Sequence, residues 1–139
     1  MRGFSLVEML AATALMAGTV APALAVMRDA MAISRESTRR QLLSLYAVQA
    51  LENHTALTMQ NWANGSASMS AALDGQPNIR MQIIKSDAVV DGGLPNRLMH
   101  LRVVAFDDAD ADSTLDASEL AVRVRTKVAK LTSYENEPN

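Results

Sequence analysis

The amino-acid sequence predicts an α+β fold, in which a long N-terminal α-helix packs on a small antiparallel β-sheet. Three observations carry this. Residues 4–27 are predominantly apolar and carry one charge, Glu8. Residues 30–59 contain neither Gly nor Pro and consist mostly of good helix formers. Beyond residue 78, three segments alternate apolar and polar side chains with the strand period of two.

The apolar segment comes first. At about 1.5 Å per residue it is long enough to cross a hydrocarbon layer of roughly 30 Å. A helix continuing to residue 59 makes a rod of about 80 Å, and Pro22 is expected to kink it because the ring crowds the preceding turn. In the second half, Leu43, Tyr46, Ala47, Ala50, Leu51, His54 and Leu57 fall on one helical stripe. That stripe is the expected partner of the sheet. Leu42, Leu45 and Val48 fall elsewhere and are left for neighbours.

Residues 61–78 break the helix. Asn64-Gly65-Ser66 and Asp74-Gly75-Gln76-Pro77 are turn sequences, and residues 66–73 are expected to form a short helix. The strands follow. Ile79, Met81 and Ile83 alternate with Arg80 and Gln82. A turn is expected at Asp91-Gly92-Gly93-Leu94-Pro95-Asn96. Met99, Leu101, Val103 and Ala105 alternate with His100, Arg102 and Val104. Leu120, Val122, Val124, Thr126 and Val128 alternate with Ala121, Arg123, Arg125 and Lys127. Strands joined in this order make a three-stranded antiparallel meander with one apolar face. The polar tail, residues 133–139, is expected to fray.

Composition excludes several classes of function. The length of 139 residues suits one domain. A net charge of −2 lacks the basic surplus of a nucleic-acid binder, so no nucleic-acid partner is expected. The chain has no cysteine, which removes disulfides, thiolate metal sites and a thiol nucleophile. No hydrolase elbow, phosphate loop, dinucleotide fingerprint or HExxH pair occurs. His54 and His100 read as packing or surface residues, and no enzymatic activity is expected.

The most informative residues are Arg2-Gly3-Phe4-Ser5-Leu6-Val7-Glu8. Over roughly the first 25 residues the chain resembles the type IV pilin and type II secretion pseudopilin family. The resemblance implies a leader of residues 1–3, cleaved by a prepilin peptidase between Gly3 and Phe4, with methylation of the new N-terminal Phe4. It implies that Glu8, the fifth residue of the mature chain, pairs with the Phe4 amine of a neighbouring subunit and sets register during assembly. It also implies a membrane and assembly segment of residues 4–27 and a periplasmic helix-plus-sheet domain of residues 28–139. The partners would be other pilin or pseudopilin subunits, the prepilin peptidase and the bacterial inner membrane, and the role that of a structural subunit; the small domain and the absence of a disulfide loop point to a minor one. Physical chemistry adds its own reason. A carboxylate inside a membrane costs about 2.5–3.5 kcal/mol, so Glu8 needs a partner or an interfacial position.

Two other readings stand beside this one. Ala23-Leu24-Ala25 has the form of a signal-peptidase site, which would release a soluble domain beginning at Val26. A membrane-tethered binding module unrelated to filaments is the second. The charge pattern also opposes the implied topology. Arg28, Arg35, Arg39 and Arg40 follow the apolar run and only Arg2 precedes it, so the positive-inside rule alone would keep the domain in the cytoplasm. Asp29 and Glu36 offer those arginines local partners.

Asp108, Asp110, Asp112, Thr114, Asp116 and Glu119 stand at relative positions 1, 3, 5, 7, 9 and 12, the ligand spacing of a calcium-binding EF-hand loop. Ser113 stands where that loop has Gly, and the flanks read as strands. Calcium is the ion this loop suits; a solvated acidic turn is the alternative. No other cofactor is required.

Overall fold

A computed structural model of the chain describes residues 5–71 and 75–131. It contains one long helix, α1 (Leu6–Gln60), and four strands: β1 (Gly65–Ser70), β2 (Ile79–Ser86), β3 (Leu98–Asp107) and β4 (Ala121–Ala129). The expected fold class is the observed one. The strands form a single antiparallel sheet in the order β1-β2-β3-β4. The chain divides into two compact units, Met1–Arg39 and Arg40–Asn139.

In the first unit the helix runs through Pro22. It includes a stretch long and apolar enough to cross a membrane, none of it buried within the protein. The hydroxyls of Thr13 and Thr19 donate to carbonyls one turn back, Thr13 to Leu10 at 3.0 Å and Thr19 to Leu15 at 3.0 Å. Their polarity is therefore satisfied inside the helix.

In the second unit the buried helical residues are Leu43, Ala47, Ala50, His54 and Thr58. The first three pack in one core with Ala71, Ile79, Met81 and Ile83, and with Val103 and Ala105 of β3. A second cluster holds Met99, Leu101 and Val128 beneath Leu51 and Trp62. The inward sets expected on β2 and β3 are thus the observed ones. Three details of the helix stripe differ. Tyr46 and Leu51 are only half-buried, Leu57 is exposed, and Thr58 takes the last buried place. Thr58 can sit there because its hydroxyl donates to the His54 carbonyl at 2.7 Å, leaving no unmet polar group.

The expected helix at residues 66–73 is wrong. Residues 65–70 form a fourth strand, paired with β2 from Gly65↔Lys85 to Ser70↔Arg80. Ala67 and Met69 share a face with Ile83 and Met81, and Ser66, Ser68 and Ser70 lie on the other. The period of two is present, but its apolar members are small or flexible, and pairing with β2 overrides the weak local preference. Leu73 and the tail from residue 132 lie outside the described residues.

The β2–β3 connection follows the expected turn chemistry. Val89–Asp91 forms a short 3-10 helix that ends on Gly92 at φ 84°. A side chain at Gly93 would bring its Cβ to 2.5 Å from the Asp87 carbonyl carbon, so the close approach requires glycine. Asp87 holds this end together. It accepts from Asn64 Nδ2 at 2.8 Å and from the Asn96 amide at 2.9 Å, and its own amide donates to Asn64 Oδ1. The Asn96 amide first, then the Asn64 side chain, lower its pKa below the usual carboxylate value.

Candidate functional site

Two regions carry the expected site residues. The first is the start of α1. Gly3 and Phe4 lie outside the described residues. Glu8 stands in the first turn of the helix, and its amide donates to the Ser5 hydroxyl at 3.3 Å and the Ser5 carbonyl at 3.0 Å. Ser5-Leu6-Val7-Glu8 therefore has the spacing of an N-terminal capping box, with Ser5 satisfying an otherwise orphaned amide. A carboxylate in the first turn is also favoured by the helix dipole. Serine three residues before Glu8 was the sequence signal for this local role.

The second region is the loop between β3 and β4. The hairpin closes at Phe106↔Ala121, and the Asp107 amide reaches the Leu120 carbonyl at 3.0 Å. Asp108 then turns inward and is 1% exposed. Arg80 Nε donates to its Oδ2 at 3.0 Å, and the Ser113 amide donates to Oδ1 and Oδ2 at 3.3 and 3.2 Å. Arg80 lies on the sheet face turned from the core, opposite Phe106. Phe106 shares that face yet is wholly buried. Ser113 lines a cavity of about 210 Å³ with Phe106, Arg80, Gln82, Ser68 and Ser70. The loop therefore folds back over the outer face at this end of the sheet, anchored by Asp108.

Within the loop, carboxylates organise the backbone. Asp110 Oδ1 accepts from the Asp112 amide at 3.3 Å. Asp112 Oδ1 accepts from the Thr114 amide and hydroxyl, each at 2.7 Å, and these bonds, the hydroxyl first, lower its pKa. Ala111 and Ser113 take left-handed conformations, φ 63° and 65°. The Gly-like demand read at Ser113 is thus real. Glu119 closes the loop from the far side by accepting from the Ala109 and Asp116 amides at 3.0 and 3.1 Å.

The fit to a cation can be tested against this geometry. Asp108, Asp110 and Asp112 each bring a carboxylate oxygen within 4.8 Å of the other two. Calcium binds oxygens at about 2.3–2.6 Å, so one ion can touch all three. Asp116 and Glu119 stand outside this cluster, and Arg80 already supplies a positive charge to Asp108. Of the six expected ligands, Asp108, Asp110 and Asp112 are the carboxylates brought together.

A further group was not singled out by the sequence pattern. Across β3 and β4, His100 faces Lys127, Arg102 faces Arg125, and Val104 faces Arg123. The four Lys and Arg side chains are exposed, and none makes an ion pair among the described residues. Cations at every second position of β4 were the visible signal; placing Arg102 among them needed the register. No protein-family model, curated protein or solved structure matches this chain.

Proposed function

We propose that this chain is a structural subunit, not an enzyme, of a type IV pilus-like or type II secretion pseudopilus fibre. It is anchored in the bacterial inner membrane by residues 4–27, with its folded domain on the periplasmic side. The observation that carries the reading is the exposed apolar start of α1, charged at Glu8 alone as far as Met27 and continuous with a helix whose second half belongs to a folded domain. Such a segment buries its surface only in lipid or against other helices. The Gly3-Phe4 junction and Glu8 supply the processing and register features of the family that the chain resembles. Glu8→Ala in the full-length chain is the test. The variant should reach the membrane at the normal level and enter fibres several-fold less. Normal entry into fibres would end the pairing idea.

A second reading, calcium binding at the β3–β4 loop, draws support from the clustered oxygens of Asp108, Asp110 and Asp112. Ser113 in a glycine-like conformation and the Arg80 charge both weaken affinity, so the dissociation constant should lie at about 10⁻⁴ to 10⁻³ M. Melting in chelator and then in millimolar calcium should show a rise in Tm that Asp110→Ala removes. An unchanged Tm would leave a solvated acidic turn.

A further inference from the structure

The outer face of the sheet is electrically divided. At one end the acidic loop presents Asp110, Asp112 and Asp116, all exposed. Beyond it, Arg102, Arg123, Arg125 and Lys127 stand on two neighbouring strands, with Arg102 directly opposite Arg125. Like charges facing each other across a ladder destabilise the pair, and no ion pair among the described residues offsets these. A cleft of about 290 Å³ lies among Arg102, Arg123, Val124 and Arg125. Spacing along the strand puts alternate cations about 6.6–6.8 Å apart.

We infer that this cationic ladder docks the acidic loop of a second copy of the chain. Charge complementarity carries the assignment. Loop carboxylates in excess of the single Arg80 charge meet a ladder of four cations that make no ion pair among the described residues; the Asp91 carboxylate, held by Ser86 at 2.6 Å, stands only at its Lys127 end. A long polyanion fits less well, because the exposed carboxylates of Asp110, Asp112 and Asp116 on the same hairpin repel an extended run of phosphates. Among the described residues no aromatic side chain is exposed on this face for base stacking, since Phe106 is buried. The contact goes beyond the fibre reading, since it depends on the folded domain and not on how Phe4 is processed.

The chain contains no cysteine, so engineered single cysteines report contacts without background. Full-length D116C and R125C chains, in bilayers and in chelator so that the loop keeps its charge, are mixed and oxidised. The mixed disulfide should exceed either self-disulfide several-fold. It should fall several-fold when salt is raised from about 0.1 M to about 1 M, which shortens the screening length from about 10 Å to about 3 Å. Adding R102E to the R125C chain should abolish the link, and adding D110K to its D116C partner should restore it. These positions are exposed, and circular dichroism checks that each variant is folded. Equal self- and mixed disulfides, or a link indifferent to salt, would overturn the proposal. So would retention of duplex DNA that R102E and R123E abolish, with no mixed disulfide, which would assign the face to nucleic acid.

Discussion

At the scale of single residues, the fold places polar and charged groups where each needs a specific partner. Asp108 is buried and bound by Arg80 and by the Ser113 amide. Asp108→Ala strips a partner from both donors, and hydrogen bonds to a charged group contribute about 1.5–3 kcal/mol each. Arg80 is partly exposed and recovers some of its share from water, so urea unfolding should show a loss of about 2 kcal/mol. Ser113→Gly should act the other way, stabilising by up to about 1–2 kcal/mol by relieving a left-handed backbone. His54 is buried with Nδ1 unbonded, and burial first, then the Lys85 charge, lowers its pKa. The unfolded chain therefore takes up a proton before the folded one does. The stabilisation is complete above the unfolded value of about 6.5 and is lost as pH falls through it towards the lower folded value. Melting temperature against pH should slope downward below that point in the parent chain and much less in His54→Leu.

At the scale of elements, legibility tracked the size of the side chains. Strands β2, β3 and β4 were readable because Ile79, Met81, Ile83, Met99, Leu101, Val103 and Val128 are large and alternate cleanly. Strand β1 was not, because Ser66, Ser68 and Ser70 alternate with Ala67 and a partly exposed Met69, and its identity comes from pairing with β2. The helix stripe was legible at Leu43, Ala47 and Ala50. It slipped at its end, where Thr58 buries and Leu57 does not, since a hydroxyl bonded one turn back behaves as a small apolar group. The acidic spacing was legible too, but Arg80 lies 28 residues before Asp108 and only the register unites them. Leu43 is fully buried between α1 and the sheet. Leu43→Ala should therefore cost about 2–5 kcal/mol in thermal or urea unfolding, whereas Leu45→Ala, at an exposed position, should cost far less.

At the scale of the whole molecule, one chain carries two surfaces of different kinds: an apolar helical segment with a lone carboxylate, and a folded domain with its own core. Residues 28–139 contain every buried residue of that core, so this fragment should be soluble and give a mixed α/β circular dichroism spectrum. A disordered spectrum would mean that the sheet needs the apolar segment. The central claim is that the apolar segment stays attached and serves assembly. N-terminal mass spectrometry of the protein isolated from its native membrane tests it most directly. The expected product is a chain that begins at a methylated Phe4, with residues 1–3 removed. A chain that begins at Val26, or one that retains Met1, would contradict it.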